Sequence, residues 1–179
     1  AFGGADQAYI YGSDTTWTVS TIAADAKFAH FFAVTRTTAG SGATLWKSRY
    51  DGTDALHVYV NFSTNPINGG SWDTELTVLI TDKKITSLHS FNDSLYVGKE
   101  DGLYGWVRVY DDGTVAGFFE NLTPEYLTQP NSNNFKTGVP WKGWLYLTAS
   151  QQTFFRVNRF DYVDLSSLLF SPKIDDGAG

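Results

Sequence analysis

A residue spacing that recurs along the chain constrains the fold more than any other feature of the sequence. In ITSLHSFNDSLYV, Phe91 follows Ile85 by six residues, and the polar pair Asn92-Asp93 separates two segments in which apolar residues alternate with others. A period of two predicts β-strands, and a short polar break between them predicts a hairpin. The pattern continues through two Asp-Gly pairs and predicts four strands, at Ile85–Phe91, Leu95–Lys99, Gly105–Tyr110 and Val115–Phe119.

The same spacing starts again at two other places. It begins at Phe135, where Lys142-Gly143 supplies the turn, and at Ile22, where it places Phe32 at the position of Leu95. The copies therefore start at residues 22, 85 and 135, which are 63 and 50 residues apart. Units of roughly 40 to 50 residues that hold four strands each are typical of the blades of a β-propeller.

We therefore predict an all-β fold, with residues 1–179 as a single repeat domain of β-propeller-like four-stranded blades. Composition agrees, because 16% aromatic residues, 18% charged residues and 17 Gly favour strands joined by tight turns. A β-sandwich is the alternative, since its strands alternate in the same way. The predicted units are a partial blade at 1–21 and three blades at about 22–84, 85–134 and 135–179.

Both faces of these predicted sheets carry large apolar residues. Tyr96 and Tyr146 alternate with Leu95 and Leu145, so the tyrosines and leucines lie on opposite faces. A sheet with one face in water prefers polar residues on that face, whereas sheets that stack radially bury both. The pattern therefore favours the propeller-like arrangement.

Three blades and a part do not close a ring, because closed propellers typically use four to eight blades. We expect the remaining blades to come from other protein chains or from the rest of a longer polypeptide. The two ends of the repeat, Tyr9–Trp17 and Phe155–Phe160, are then expected to be covered, since a bare sheet face exposes a large apolar patch.

Two segments also fit a helix. Ile22–Phe32 is rich in Ala and apolar on both faces, which suits a buried strand and a buried helix equally, and we favour the strand. Asp164–Phe170 is the second place where a short helix fits the sequence.

Two longer phrases carry a resemblance to known repeats. LYVGKEDGLYGW, at residues 95–106, and NLTPEYLTQPNSNNFKTGVPWKGWLYL, at residues 121–147, resemble propeller-like repeats in uncharacterised structural proteins of tailed bacteriophages. LYVGKEDGLY is also similar to a phrase in the sensor propellers of bacterial two-component regulators. The first 84 residues match neither pattern well. The resemblance implies a propeller and a virion or extracellular location, and it assigns no functional residue.

No group of residues has the spacing of a catalytic or metal site. The segment Gly12–Val19 resembles the Asp-box of sialidases but lacks its central Gly, and that box is a structural turn. His30, His57 and His89 are scattered, and the Asp-Gly pairs fit hairpin turns better than a calcium loop. We therefore expect a protein without enzyme activity and without a cofactor.

Trp144 is the candidate ligand-binding residue. It corresponds to Phe31 and Ser94 in the other copies, directly after the turn where a blade meets solvent. The face of an indole ring can stack on the apolar face of a sugar. The alternative is that Trp144 and Trp141 form a cross-strand pair that stabilises the hairpin.

Charge and hydropathy limit the partners. The net charge of -6 makes nucleic acid an unexpected partner, and no run of about 18 apolar residues predicts a membrane span. The function we favour is a non-enzymatic structural or binding component of a phage virion that uses a β-propeller scaffold for contacts with protein or with a surface glycan. The alternatives are a fragment of a propeller glycoside hydrolase or of a bacterial sensor propeller.

Overall fold

The computed structural model describes residues 9–11, 17–19, 30–36, 43–48, 59–63, 76–78, 83–111, 114–123, 129–149, 153–159 and 161–166. Its described elements are β-strands, all paired antiparallel, which form one two-stranded and three four-stranded sheets. The all-β prediction is confirmed. No helix long and apolar enough to cross a membrane occurs in the described part of the chain.

The strands follow one another in chain order within each sheet. A first hairpin consists of β1 (Tyr9–Tyr11) and β2 (Trp17–Val19). The first sheet contains β3 (Phe32–Arg36), β4 (Ala43–Ser48), β5 (Tyr59–Ser63) and β6 (Leu76–Thr77). The middle sheet contains β7 (Ile85–Phe91), β8 (Ser94–Lys99), β9 (Leu103–Asp111) and β10 (Thr114–Asn121). The third sheet contains β11 (Gly138–Trp141), β12 (Trp144–Ala149), β13 (Thr153–Asn158) and β14 (Asp161–Asp164).

The middle sheet confirms the four strands predicted from its sequence. β7 has the predicted bounds, β8 begins one residue earlier than predicted, and β9 and β10 extend by one or two residues at each end. The β7–β8 turn is the Asn92-Asp93 pair, with φ angles of 48° and 58°, and it brings Phe91 opposite Ser94. Two successive left-handed residues make the type I′ turn that matches the twist of a hairpin, and Asn and Asp tolerate that conformation.

The third sheet opens with a turn of the same kind. Lys142 and Gly143 have φ angles of 45° and 79°, and the turn brings Trp141 opposite Trp144. The predicted Lys142-Gly143 turn is confirmed. The predicted cross-strand register of the two tryptophans is confirmed as well.

In the first sheet, the predicted alignment with the middle sheet is displaced by one strand. The spacing placed Phe32 at the position of Leu95, but Phe32 lies in the first strand of its sheet and Leu95 in the second. Phe32 pairs with Lys47 as Ile85 pairs with Lys99, so Phe32 corresponds to Ile85. The alignment was wrong because alternation is the same in every strand, and an insertion lets a spacing match one strand out of place.

The three four-stranded sheets pack face to face, with the middle sheet between the other two. Leu95 and Tyr96 are each 0% exposed although they lie on opposite faces of β8. Leu95 belongs to a cluster shared with Trp46 and Val78 of the first sheet and its border. Tyr96 belongs to a second cluster shared with residues of the third sheet, such as Leu147. The expectation that both faces are buried holds for the middle sheet.

Several predictions fall wholly or partly outside the described residues. Of the segment Ile22–Phe32, residues 30–32 are described, and Phe32 begins a strand. Asp164 ends β14, while residues 167–170 of the second helix candidate are outside. Of the Asp-box-like segment, residues 17–19 form β2 and residues 12–16 are outside. His57 and the Asp-Gly pairs at 51–52 and 112–113 are also outside.

Candidate functional site

The third sheet has one face that packs against the middle sheet and a second face with exposed large apolar residues at its edge. Leu145, Leu147, Phe155 and Val157 are almost fully buried in the cluster shared with the middle sheet. Side chains alternate along a strand and cross-strand partners share a face, so the residues between these four, and the partners of those residues, lie on the other side. We call this outer surface the aromatic face, and it consists of Val139, Trp141, Trp144, Tyr146, Phe154 and Arg156.

The aromatic rings of this face contact one another across three strands. The rings of Tyr146 and Phe154 are stacked, with centroids 5.8 Å apart and an interplanar angle of 25°. The ring of Trp141 lies 5.8 Å from that of Tyr146, tilted by 56°. Such ring pairs contribute roughly 0.5–1.5 kcal/mol beyond the area they bury. The face is therefore a connected aromatic surface.

Two cations lie over the tryptophan rings of the aromatic face. The Arg156 guanidinium carbon is 4.2 Å from the centroid of the Trp144 ring, and Lys142 Nζ is 4.6 Å from the Trp141 ring. Both distances are within the range of a cation–π interaction. Arg156 Nε is buried and has no hydrogen-bond partner in the described part of the chain. The face therefore combines apolar rings with one donor that lacks an acceptor.

The edge of the aromatic face is open to solvent. Trp141 is 56% exposed and Val139 is 62% exposed, although both are large apolar residues on a strand. Tyr146 is half-buried, and its described ring contacts are with Trp141 and Phe154 of its own sheet. The expectation of a second buried face, which holds for Tyr96, is thus not met at Tyr146 by the described residues.

The structure places the predicted candidate Trp144 within this face. Trp144 is half-buried, it pairs with Trp141 across the hairpin, and Arg156 covers one side of its ring. Its use as a sugar platform stays a prediction. Sequence reasoning missed Trp141 and Arg156 as members of the site. By register Arg156 corresponds to Gly105 of the middle sheet, since Arg156 lies opposite Tyr146 as Gly105 lies opposite Tyr96.

A second feature lies where turns of the middle and third sheets meet. Asn92, Asp93, Asn158, Arg159 and Asp161 line a cleft of about 550 Å³, which we call the turn cleft. The Asn92 side-chain amide donates a hydrogen bond of 3.2 Å to Asn158 Oδ1. This bond ties the β7–β8 turn to the end of β13.

Tyr96 makes a second tie beside the turn cleft. Its hydroxyl donates to the carbonyl oxygen of Arg159 over 3.4 Å. Burial raises the pKa of Tyr96, so the hydroxyl keeps its proton and remains a donor. The middle and third sheets are thus held together by polar bonds at this end as well as by their shared core.

The titratable groups between the sheets have structural roles. His89 Nε2 lies 2.8 Å from the carbonyl oxygen of Phe135, so it carries the proton and donates. Burial lowers the pKa of His89, although the bond to Phe135 raises it in part. Burial raises the pKa of Tyr104, and the nearby Asp101 carboxylate raises it further. His30 is exposed, and no group of three or more His, Cys, Asp or Glu side chains is placed to hold a metal within the described ranges.

Comparison with known proteins provides no relative from which a function can be transferred. No protein-family model, no curated protein and no solved structure matches this chain.

Proposed function

We propose that this protein is a non-enzymatic structural or binding component of a β-propeller-like assembly, and that the aromatic face is the surface through which it joins that assembly. The observation that supports this most directly is the contrast between the two sides of the third sheet. On one side Leu145, Leu147, Phe155 and Val157 are buried against the middle sheet, while the other side presents connected aromatic rings with Trp141 and Val139 open to solvent. Exposed apolar patches of this kind mark interaction surfaces.

The proposed occupant of the aromatic face is a β-sheet of another polypeptide or of a longer form of this one. Within the chain, the first sheet packs on the middle sheet and the middle sheet on the third, each time through aliphatic and aromatic side chains. The aromatic face offers the same chemistry as the next surface of this stack. A sheet that packs there at about 10 Å covers both Trp141 and Val139.

The propeller and the virion are supported by different observations. Three successive four-stranded antiparallel sheets, each built from consecutive strands, are the arrangement expected of consecutive blades. The virion or extracellular location is proposed because the phrases at residues 95–106 and 121–147 resemble phage structural proteins. Both parts belong to the proposal.

Sedimentation of the chain and two variants tests the proposed role of the aromatic face. We expect the wild-type chain to self-associate or to bind a hydrophobic dye when no partner covers the face. The double variant Val139→Thr, Trp141→Ser should sediment as a monomer and bind less dye. Phe118→Ser is the matched control, because Phe118 is 54% exposed but lies on the middle sheet. A wild-type monomer without dye binding, or an equal effect of the control, would contradict the proposal.

Cross-linking in the source particle identifies the occupant. A photo-reactive amino acid at position 139 should cross-link to residues in a strand of another sheet when the intact assembly is irradiated. Cross-links to a second copy of this chain indicate that several chains build one stack. Cross-links to a helix, or none at all in the intact assembly, would show that no sheet covers the face.

Glycan binding at the same face is the second candidate function, and the exposure of Trp141 favours it. A glycan array of the wild-type chain, repeated with Trp141→Ala and Trp144→Ala, separates it from protein docking. Loss of a specific glycan signal in both variants supports a sugar platform. Absence of any signal supports a protein partner.

A further inference from the structure

We propose that the turn cleft binds a neutral, hydroxyl-rich ligand of the saccharide class. The cleft shares no residue with the aromatic face, and this inference does not depend on what occupies that face. Its volume of about 550 Å³ falls within the range of roughly 300–1,000 Å³ that small-molecule sites occupy.

The residues that line the turn cleft suit a ligand whose groups both donate and accept hydrogen bonds. The carboxylates of Asp93 and Asp161 accept, the Arg159 guanidinium donates, and the side-chain amides of Asn92 and Asn158 do both. A sugar hydroxyl also donates and accepts, so adjacent hydroxyls can bond to neighbouring members of this set. The described lining residues are all polar or charged, which disfavours an apolar ligand.

The backbone around the turn cleft supports a functional reason for these side chains. Asp93 and Arg159 have φ angles of 58° and 53°, in the left-handed region that favours Gly or Asn. The comparable second turn residue in the third sheet is Gly143, which adopts this conformation without strain. Arg is an unfavourable choice in the left-handed region, and in this molecule its side chain lines the cleft. Strained positions of this kind are found preferentially where a side chain is needed for function.

The charge of the turn cleft narrows the ligand class further. Two carboxylates and one guanidinium give a formal charge of -1, so a phosphate or sulfate group would be repelled. Arg159 in turn opposes a bare cation beside Asp93 and Asp161. A neutral saccharide satisfies donors and acceptors without adding charge.

The test uses variants that remove cleft side chains while they relieve backbone strain. Asp93→Gly creates an Asn-Gly turn, and Arg159→Gly removes a non-Gly residue from a left-handed position, so the melting temperature should be unchanged or raised. Loss of binding in these variants cannot then be attributed to unfolding. Lys142→Asn is the matched control, because it alters a turn of the same type that does not line the cleft.

The probe is a set of neutral mono- and disaccharides, measured by saturation-transfer NMR and then by titration. We expect at least one saccharide to bind the wild-type chain, and each Gly variant to weaken it about ten-fold or more, the loss typical of one hydrogen bond to a charged group. The Lys142→Asn control should bind as the wild type does. The inference is overturned if no neutral saccharide binds, if glucose 6-phosphate binds better than glucose, or if binding is lost in Trp144→Ala but kept in both Gly variants.

Discussion

Trp46 of the first sheet and Trp106 of the middle sheet meet edge to face, so a double-mutant cycle on this pair measures how firmly the two sheets are packed. Their ring centroids are 5.6 Å apart with an interplanar angle of 61°, and both side chains are almost fully buried. Trp106 also contacts Phe119 of its own sheet at 4.8 Å. Replacement of either tryptophan by Leu removes the ring contact between the sheets and leaves a cavity.

The expected cost differs between the two tryptophans. Each Trp→Leu change should cost somewhat less than the roughly 3–5 kcal/mol typical of Trp→Ala in a core. Trp46 Nε1 donates to Thr35 Oγ1 over 2.8 Å, so Trp46→Leu also leaves a buried hydroxyl without its donor. Trp106 Nε1 is buried without a hydrogen-bond partner among the described residues, so its removal offsets part of the loss. We therefore expect Trp46→Leu to destabilise more than Trp106→Leu, with a coupling energy of about 0.5–1.5 kcal/mol between them.

Urea denaturation of the four proteins in the cycle gives these free energies of unfolding. The control cycle pairs Trp106→Leu with Phe155→Leu, because Trp106 and Phe155 belong to clusters on opposite faces of the middle sheet. That cycle should be additive within about 0.3–0.5 kcal/mol. A coupling near zero for Trp46 and Trp106, or an equal coupling in the control, would refute the stacked arrangement of the first and middle sheets.

Three further substitutions test the interface between the middle and third sheets and the turn geometry. Gly98→Ala should destabilise by roughly 1–3 kcal/mol, because its Cβ would clash with Ser87 Oγ of its own sheet and lie 2.7 Å from Phe135 Cβ; a neutral result in urea denaturation would show that Gly98 is less closely packed. Burial holds the pKa of His89 in the folded protein below its ordinary value of 6.5, so the free energy of unfolding should be largest above pH 6.5 and should fall as the pH drops towards the folded pKa. His89→Gln should flatten this part of the pH–stability curve, and an unchanged slope would contradict the assignment. Lys142→Asn forms an Asn-Gly turn and should raise stability by about 0.5–1 kcal/mol despite the lost contact with Trp141; a lower melting temperature would contradict the type I′ assignment.

The middle sheet was predictable because its local signals agree with one another. The alternation in ITSLHSF and SLYVGK, and the Asn92-Asp93 pair between them, specify strand, turn and register within a few residues. The burial of Leu95 and Tyr96 on opposite faces also followed from the sequence, because a sheet face in water prefers polar residues to an aromatic such as Tyr96. Local pattern was sufficient for this part of the fold.

The first sheet shows where local pattern fails. The spacing from Ile22 fitted the repeat one strand out of place, because Phe32 and Leu95 both begin apolar alternations. Only the pairing of Phe32 with Lys47 distinguishes the first strand from the second. Phe32 and Lys47 lie in different strands, and the sequence of one chain does not show which residues of two strands pair.

The candidate sites were predictable to different degrees. Trp144 and its pairing with Trp141 followed from the hairpin, but the exposure of Trp141 depends on which side of the third sheet the chain itself covers. The turn cleft was not predictable, because Asp93 and Arg159 lie far apart in sequence and meet only when two sheets pack. No short sequence motif indicates that these two turns lie close together.

The charge of the aromatic face leads to a last prediction about its partner. The chain carries a net charge of -6, so as a whole it repels acidic surfaces. The aromatic face differs, because Lys142 and Arg156 place positive charge on its tryptophan rings. Covering the face buries the Arg156 guanidinium further, and that is favourable only if an acceptor replaces the lost water. We therefore expect the partner sheet to present a carboxylate opposite Arg156, and the complex to weaken as sodium chloride is raised, because salt screens the attraction between these charges before the surfaces meet. Arg156→Gln, which keeps a donor without the charge, should bind more weakly at low salt and lose most of the salt dependence. An interface that strengthens with salt would show that apolar burial alone holds the partner, and that Arg156 contacts only Trp144.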